Sequence, residues 1–350
     1  MMSAISDSSA RLFRDEFANL SAVVYKRLEL EWQYHLRQKQ VPDVHRLFQY
    51  AIEFGRLLQV IYRHKLFDSL HKEAKWYAAV FEARGSGHNS FAVVLDSWII
   101  AIQGTIKPPE SHELVRPLQD LRDKLPLLID QAKDPEEIQS QKAESPLLRH
   151  LVRGDMQGAR EILSSRLSRG ESPEHLIVDL LLPTMVTIGQ LWELNRVEIF
   201  EEHLATEAIR NLLSGLPIMI RGALPATGHR ALVSCSPGDE HSLVPMALAA
   251  YLEIRGWIVR NLGGSLPASQ IALAVASLDP EALFLAFTML SRLDDALEVI
   301  EQTGERSGCR IIFGGRGAVA ARSILESRGA LVAHDFGEAH LLALRNPSHA

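Results

Sequence analysis

The clearest indication of the fold lies in residues 231–244, which read Ala-Leu-Val-Ser-Cys-Ser-Pro-Gly-Asp-Glu-His-Ser-Leu-Val. This stretch begins with a short apolar run, Ala231 to Cys235, and then places Asp239-Glu240-His241 in a polar loop. A strand that ends in such a loop can present an imidazole to a metal held above a sheet edge. The nearby carboxylate can determine which ring nitrogen carries the proton. The stretch therefore predicts a buried strand followed by a candidate metal-binding histidine.

Downstream of this stretch, short apolar runs alternate with stretches of helical spacing. The apolar runs are 231–235, 257–261, 282–290, 310–313 and 330–333. Five strands alternating with helices predict a parallel sheet built from βαβ units. In such a sheet ligands bind beyond the carboxyl ends of the strands. The residues that fall at those ends are His241, Gly263-Gly264, Thr288 to Ser291 and Gly314-Gly315.

Upstream, apolar residues recur at helical spacing in two further regions, which we predict to be helical. Residues 11 to about 133 form the first, and residues 146 to about 222 form the second, with about four helices, the size of a small bundle. In the second, Asp155 is a predicted N-cap and Pro173 opens a helix. The predicted connectors are 41–43, 84–87 and 107–109, and the polar segment 134–145 is a linker or an exposed helix.

These patterns predict an α plus α/β fold in three domains. The domains are a helical domain, residues 1–140, a four-helix bundle cap, residues 141–225, and a Rossmann-like parallel-sheet domain, residues 226–350.

Composition narrows the class of protein. The chain has 350 residues, of which 47% are hydrophobic and 23% charged, and its net charge of -6 argues against a broad nucleic-acid interface. Cys235 and Cys309 are too few for a disulfide framework or a thiolate zinc site. The N-terminus lacks a secretory pattern and no eighteen-residue apolar run occurs. We therefore expect a cytoplasmic protein that makes no direct contact with a membrane or with nucleic acid.

From residue 146 onward the chain resembles the cobalamin-binding module of methionine synthase and of the cobalamin-dependent photoreceptor regulators. That module pairs a helical bundle with a Rossmann-like domain. Its loop motif is Asp/Glu-x-His-x-x-Gly, which residues 239–244 match except for Val244 at the last position. Its Ser-x-Leu corresponds to Thr288-Met289-Leu290, followed by Ser291, and its glycine pair to Gly314-Gly315.

The resemblance implies that His241 is the lower ligand of cobalt and that Asp239 supports it. It also implies that the hydroxyl and the glycines line a narrow slot for the displaced nucleotide tail, with Gly263 at the same sheet edge. Val244 adds a branched side chain there, and we expect it to narrow the slot or shift the loop.

The bundle carries a second signature, Trp192 followed by nine residues and then Glu202-His203. It resembles the light-sensing branch rather than the methyl-transferring branch. The resemblance implies that Trp192 covers the upper axial group and that Glu202 contacts the adenosyl group of adenosylcobalamin. It further implies that His203 binds cobalt after light breaks the cobalt–carbon bond.

The whole layout resembles the standalone photocobilins, whose globin-like N-terminal domain holds biliverdin. No cysteine precedes Cys235, so a bilin here would be bound non-covalently. Each aromatic candidate is by default a core residue, and a haem ligand is an alternative role for the two histidines. The candidate contacts are Tyr62, Arg63, His64, His71, Trp76, Tyr77 and Trp98.

Taken together, these features predict a light sensor rather than an enzyme. Photolysis would change conformation and quaternary structure, so we expect a homo-oligomer and a downstream protein partner. The main alternative is a corrinoid methyl-carrier protein of a methyltransferase system, and a second is a cobalamin-dependent antirepressor. The plainer alternatives are that His241 caps the following helix and that Trp192 is an ordinary core residue.

Overall fold

The computed structural model describes residues 5–36, 44–83, 87–131, 145–220, 227–304 and 308–345. The chain forms two compact units, one made mostly of residues up to Glu137 and the other mostly of residues from Ile138. Residues 134–144 of the predicted linker lie outside the described residues, as do the predicted connectors at 41–43 and 84–86.

The N-terminal unit is helical, as predicted. Ser6 caps the first helix, because its side chain accepts a hydrogen bond from the Ser9 amide. A π-helical stretch, Trp32–Leu36, continues the second helix. A globin-like arrangement of these helices stays a prediction. The helices are α1 Asp7–Asp15, α2 Phe17–Glu31, α3 Val44–His64, α4 Phe67–Ala83, α5 Gly87–Thr105 and α6 Glu110–Gln131.

Buried aromatic side chains hold the N-terminal unit together. The Tyr62 hydroxyl donates to the Leu114 carbonyl at 2.8 Å, and burial raises the pKa of this phenol. The Trp98 indole donates to the Ala51 carbonyl at 3.0 Å. A Cβ at Gly55 would overlap the Trp98 ring, so this glycine lets the indole lie close to α3. Tyr62 and Trp98 therefore combine apolar burial with satisfied polar ends.

The C-terminal unit begins with four helical segments. Their starts follow local capping rules: Asp155 accepts from the Gly158 amide, and Ser172 accepts from the His175 amide just before Pro173. The third segment contains a π-helical stretch, Leu176–Leu181. The segments are α7 Pro146–Val152, α8 Met156–Ser168, α9 Pro173–Glu193 and α10 Ile199–Met219.

Among the described residues, α9 alone is long and apolar enough to cross a membrane by length and composition. A single helix of this kind is equally typical of a core helix. Leu176, Leu181 and Leu191 of α9 are buried in the core of the C-terminal unit. Core packing therefore accounts for the apolar character of these positions.

A five-stranded parallel sheet follows, in the order β2-β1-β3-β4-β5, which confirms the predicted sheet. The strands are β1 Arg230–Cys235, β2 Ile258–Gly263, β3 Ala282–Ala286, β4 Arg310–Gly314 and β5 Leu331–Val332. The helices between and after them are α11 Leu243–Ile254, α12 Ala268–Leu278, α13 Leu293–Thr303, α14 Arg316–Ala320, α15 Arg322–Ser327 and α16 Phe336–Leu344.

The prediction placed β3 over residues 282–290, but the strand ends at Ala286. The residues that follow form a loop and then a short 3-10 turn, Leu290–Arg292. They are as apolar as the strand itself, because Phe287 and Leu290 are buried in the loop. An apolar run alone does not distinguish a strand from a buried loop.

The bundle and the sheet share one hydrophobic core. Helix α10 packs on α11, the helix that follows β1. Leu212 and Leu216 of α10 belong to the same buried cluster as Ala247 of α11 and Val233 of β1. The two segments therefore form one compact unit, which positions α10 beside the loop that carries His241.

Candidate functional site

A buried carboxylate organises the loop after β1. Asp239 is 2% exposed, and its Oδ1 accepts hydrogen bonds from the His241 amide at 2.9 Å and from His241 Nδ1 at 2.7 Å. Its Oδ2 accepts from the Thr288 amide at 2.6 Å. Asp239 thus joins the loop after β1 to the loop after β3. Two of the residues predicted from distant motifs, His241 and Thr288, meet at this one side chain.

The Asp239 carboxylate also determines which nitrogen of His241 is available. An ionised carboxylate can only accept, so Nδ1 of His241 carries the proton. Nε2 then has a free lone pair, and the side chain is 54% exposed. A neutral imidazole oriented by a carboxylate is the usual form of a metal-binding histidine. This geometry matches the predicted ligand role of His241.

The electrostatics keep Asp239 ionised. Burial by itself raises the pKa of this carboxyl, but hydrogen bonds from the His241 ring, the His241 amide and the Thr288 amide lower it further than burial raises it, and the imidazole adds to this lowering when it is protonated. The net pKa of Asp239 lies below its usual value. The acceptor that orients His241 is therefore present at neutral pH.

Two neighbours in the same stretch were not predicted as site residues. The Ser236 hydroxyl is fully buried and, within the part of the chain that the structure describes, has no hydrogen-bond partner. Such an atom calls for an additional partner, because an unsatisfied buried hydroxyl is costly. Burial raises the pKa of Cys235 to about 12, so its side chain remains a thiol. Ser236 is the first residue after β1, and that position is the sequence signal for it.

Glycines allow the loops at the sheet edge to approach one another. Gly315 has a φ of 95°, and a Cβ there would lie 2.5 Å from the Phe287 carbonyl oxygen. A Cβ at Gly317, which the sequence analysis did not select, would lie 2.6 Å from the Phe287 ring. The Gly314 carbonyl accepts from the Phe287 amide at 3.2 Å. The predicted pair Gly314-Gly315 therefore contacts the β3 loop directly.

The loop after β2 lies against the His241 loop. Gly263 has a φ of 79°, and its carbonyl accepts from the Ser234 hydroxyl at 3.0 Å. A Cβ at Gly264 would lie 3.3 Å from the Asp239 carbonyl oxygen. Both glycines are thus within the same loop cluster as Asp239, as the position of the strand ends predicts.

The remaining candidates at the sheet edge differ in how deeply their side chains are buried. Leu290 and Ser291 are buried in the 3-10 turn, whereas Thr288 is half-buried. Val244 is half-buried in the first turn of α11. The expected narrowing of a slot by Val244 stays a prediction.

The bundle signature lies at the junction of α9 and α10. Trp192 is half-buried near the end of α9. Glu202 is in the first turn of α10, where its Oε1 accepts from the Thr206 hydroxyl at 2.6 Å and its Oε2 lies 2.9 Å from His203 Nδ1. His203 is 73% exposed. The neighbouring Glu201 instead caps the helix through the Glu198 amide, which leaves Glu202 available for another role.

The N-terminal candidates have a different setting. Tyr62, Tyr77 and Trp98 are buried, and Tyr77 is stacked on Phe91 with ring centroids 5.8 Å apart. These three side chains are buried in the unit, and their role as chromophore walls stays a prediction. In the described residues, the contacts of the unit lend no support to a bilin or haem site.

The other N-terminal candidates are less buried. His71 Nε2 lies 3.3 Å from Asp120 Oδ2, so this histidine has a carboxylate partner within its own unit. Trp76 and His64 are half-buried, and Arg63 is exposed. A tetrapyrrole role for these residues stays a prediction.

Comparison with known proteins agrees with the C-terminal geometry. Residues 144–216 match a family described as a B12 binding domain, and residues 229–345 match a second family of the same description. The chain carries two B12-binding domains. The predicted cobalamin-binding module is confirmed at this level, and the two matched segments include both the bundle and the complete parallel sheet.

Two curated relatives share this part of the chain. The HTH-type transcriptional repressor CarA of Myxococcus xanthus is 30% identical over 169 residues, 47% of this chain and 55% of CarA. The HTH-type transcriptional repressor CarH of the same organism is 28% identical over 153 residues, 42% of this chain and 49% of CarH. The chain therefore spans about half the length of the curated relatives it matches.

Among solved structures, the chain is similar to the monomethylamine corrinoid protein of Methanosarcina barkeri. It is 19% identical, covers 60% of this chain and 99% of its own, and has a TM-score of 0.49.

The residues of the B12-binding domains fit a cobalamin. His241 offers one neutral imidazole nitrogen, which suits a metal whose other ligands come from a macrocycle. Asp239 provides the carboxylate that orients it. Ser236 adds a buried hydroxyl that has no partner in the described residues, and a Cβ at Gly263 would meet no atom within 4 Å. Cobalamin is therefore the cofactor that these domains support.

Proposed function

We propose that this protein is a cobalamin-dependent regulator that responds to light through adenosylcobalamin, and that it is not an enzyme. One observation carries the proposal: a buried carboxylate holds His241 Nδ1 at 2.7 Å and leaves Nε2 on an exposed imidazole at the carboxyl edge of the sheet. The regulatory part is supported by the similarity to two transcriptional repressors. The light-sensing part is supported by the Trp192, Glu202 and His203 signature.

The proposed cofactor-binding residues form two groups, one on the sheet side of the cofactor and one on the bundle side. When bound, adenosylcobalamin supplies a cobalt–carbon bond that visible light can break. His241 would bind the metal from the sheet side, with Asp239 keeping the proton on Nδ1. Trp192 and Glu202 would contact the adenosyl group from the bundle side, and His203 is the proposed second metal ligand.

The proposed output is a changed protein surface. A light-driven change in the bound cofactor can shift the protein between two conformations only if it interacts differently with them. In this proposal Glu202 and His203, at the start of α10, detect that difference, which is supported by their contact at 2.9 Å. The altered surface would be read by self-association and by a downstream protein partner. Biliverdin is not included, because the two matches to B12-binding domains lie outside the N-terminal helices.

The test is an absorption spectrum of the full chain, loaded with adenosylcobalamin in the dark and then illuminated, with the molecular mass measured in both states. We expect retention in the dark, a changed spectrum in light and a changed mass. His241→Ala should weaken cobalamin binding by about 10- to 100-fold, the usual effect of disturbing a metal site.

His229→Ala is the matched control for that variant. His229 Nδ1 lies 2.7 Å from Glu281 Oε2, the same distance as between His241 Nδ1 and Asp239 Oδ1. His229 precedes β1, however, whereas His241 follows it. This variant should bind cobalamin as the unmodified chain does. A chain that holds methylcobalamin equally well and is unchanged by light would instead be a corrinoid methyl carrier.

A further inference from the structure

A basic side chain connects the bundle to the loop that carries His241. Arg210 of α10 places Nη2 at 3.3 Å from Ser242 Oγ and Nη1 at 4.0 Å from Met246 Sδ. Its Nε donates to Glu207 on the same helix at 3.2 Å. Ser242 directly follows His241 in the chain. Arg210 therefore contacts the residue next to the candidate metal ligand.

The position of Ser242 gives this contact its importance. Ser242 is the N-cap residue of α11, but its hydroxyl makes no capping hydrogen bond. Its amide donates to the Glu240 carbonyl at 2.7 Å, which tightens the turn around His241. A serine at an N-cap normally uses its hydroxyl to satisfy a helix amide. Here that hydroxyl instead accepts a hydrogen bond from Arg210 on another helix.

Arg210 also lies on the side of α10 that carries the bundle signature. Glu202, Thr206 and Arg210 are four residues apart, which places them on one side of the helix. Thr206 donates to Glu202 at 2.6 Å. Glu202 lies about 12 Å from Arg210 along the helix axis, at about 1.5 Å per residue. One polar stripe on α10 thus runs from Glu202 to the residue that contacts Ser242.

The stability of the C-terminal unit depends on apolar packing between α10 and α11 rather than on the Arg210–Ser242 contact. Helices α10 and α11 are already joined through buried residues such as Leu212, Leu216 and Ala247. Arg210 is 38% exposed at its side chain and lies beside this core rather than in it. Removal of its guanidinium should therefore loosen the His241 loop without separating the helices.

We propose that Arg210 is a positioning residue that couples the Glu202 end of α10 to the loop that presents His241. The proposal rests on the proposed function, since it assigns a coupling element within the same site. A displacement of α10 along α11 moves the guanidinium away from Ser242 and so alters the backbone that sets the Asp239–His241 pair. Arg210 would thus link events on the bundle side to the ligand on the sheet side.

The test uses Arg210→Ala, Arg210→Lys, Ser242→Ala and the double variant of Arg210→Ala with Ser242→Ala. The first measurement is hydrogen exchange of the amides of residues 239–243 in the cobalamin-free full chain. Each single alanine variant should speed this exchange by about fivefold, and the double variant should be no faster, because both remove one interaction. Arg210→Lys should restore only part of the protection, since an ammonium does not reproduce the guanidinium fork.

Arg166→Ala is the matched control. The Arg166 side chain is 37% exposed, against 38% for Arg210, and pairs with Glu171 at 2.8 Å elsewhere in the bundle. It should leave exchange of residues 239–243 unchanged. The second measurement is the rate of cobalamin loss in the dark, which should rise about fivefold in Arg210→Ala and in Ser242→Ala.

The outcomes distinguish the coupling from the function. The coupling would be overturned if the amides of residues 239–243 exchanged at the wild-type rate in Arg210→Ala. It would also be overturned if the effects of Arg210→Ala and Ser242→Ala on this exchange were additive. Neither result would bear on light-responsive cobalamin binding. Failure of the unmodified chain to bind cobalamin would overturn the proposed function, and the exchange measurement would still decide whether Arg210 positions the loop. Ser242→Ala provides the same test if Arg210→Ala does not fold.

Discussion

At the residue scale, Asp239 is the residue on which the site depends. It accepts three hydrogen bonds, two from His241 and one from the Thr288 amide. A buried carboxylate that is fully hydrogen-bonded orients its partners, whereas a partly satisfied one is destabilising. Because both oxygens are used, the orientation of the His241 ring depends on the position of the β3 loop as well as on its own loop.

Asp239→Asn should weaken cobalamin binding by about 10- to 100-fold, the usual cost of losing the group that orients a metal-binding histidine. An amide has one accepting oxygen, and its NH2 group would face the donors that the second carboxylate oxygen now serves. Titration of the cobalamin-free protein by calorimetry measures the change. Glu240→Gln, on the exposed neighbour of Asp239, is the control and should bind normally. Equal affinity in the two variants would contradict the role of Asp239.

The lowered pKa of Asp239 also predicts a pH dependence of stability. A carboxyl whose pKa is lower in the folded than in the unfolded state contributes stability above its unfolded pKa, about 3.9 for aspartate. That contribution is lost as the pH falls through the lower folded pKa. Urea unfolding between about pH 6 and pH 3 should show a steeper loss below about pH 4 for the unmodified protein than for Asp239→Asn. If the free energy of unfolding fell with pH equally in the unmodified protein and in Asp239→Asn, Asp239 would contribute no such stability.

At the element scale, the centre of the site consists of loops that follow three parallel strands, β1, β3 and β4, and the loop after β2 lies beside the first of them. The order β2-β1-β3-β4-β5 places these three strands side by side. Asp239 joins the first two loops through the Thr288 amide, and Gly315 lets the third approach the Phe287 carbonyl. The three loops therefore stabilise one another, and a substitution in one loop should alter the conformation of the others.

Gly315→Ala should destabilise the protein more than Gly329→Ala. Both glycines have a positive φ, 95° and 84°, but a Cβ at Gly329 would meet no atom within 4 Å. The positive φ alone should cost about 1–3 kcal/mol in each variant. The clash with the Phe287 carbonyl should add roughly 1–3 kcal/mol at Gly315. Urea unfolding measures both, and equal losses would show that the β3 and β4 loops can separate without cost.

The elements also show how far pattern recognition extends. Alternation of apolar runs and helical stretches predicts all five strands, because each βαβ unit repeats the same local signal. Asp155 and Pro173 mark helix starts correctly, because capping depends on adjacent residues. The sequence does not show that β3 ends at Ala286, because the apolar residues Phe287 and Leu290 beyond it are also buried.

At the scale of the whole molecule, the cobalamin chemistry is concentrated in the C-terminal unit. The two matches to B12-binding domains span residues 144–216 and 229–345. Asp239, His241 and Glu202 lie in the same unit, and the bundle and sheet share its core. The helical N-terminal unit has its own aromatic core.

Residues 138–350 expressed alone should therefore bind cobalamin with an affinity within about threefold of the full chain, a difference below 1 kcal/mol. Circular dichroism checks that the fragment is folded, and calorimetric titration measures binding. The full chain with His241→Ala is the control for lost binding. A folded fragment whose affinity falls more than about tenfold, or 1.4 kcal/mol, would show that the N-terminal unit contributes to the site.

The sequence alone determined the parallel sheet, its helical surroundings and the histidine at its edge, because each depends on the spacing of residues close together in the chain. Only the tertiary structure showed that Asp239 contacts the Thr288 amide, that Ser236 is buried without a described partner and that Arg210 contacts Ser242. The tertiary structure also showed that Tyr77 is buried and stacked on Phe91. These contacts join residues far apart in sequence, and local periodicity contains no information on which distant backbone amide or side chain will meet a given group.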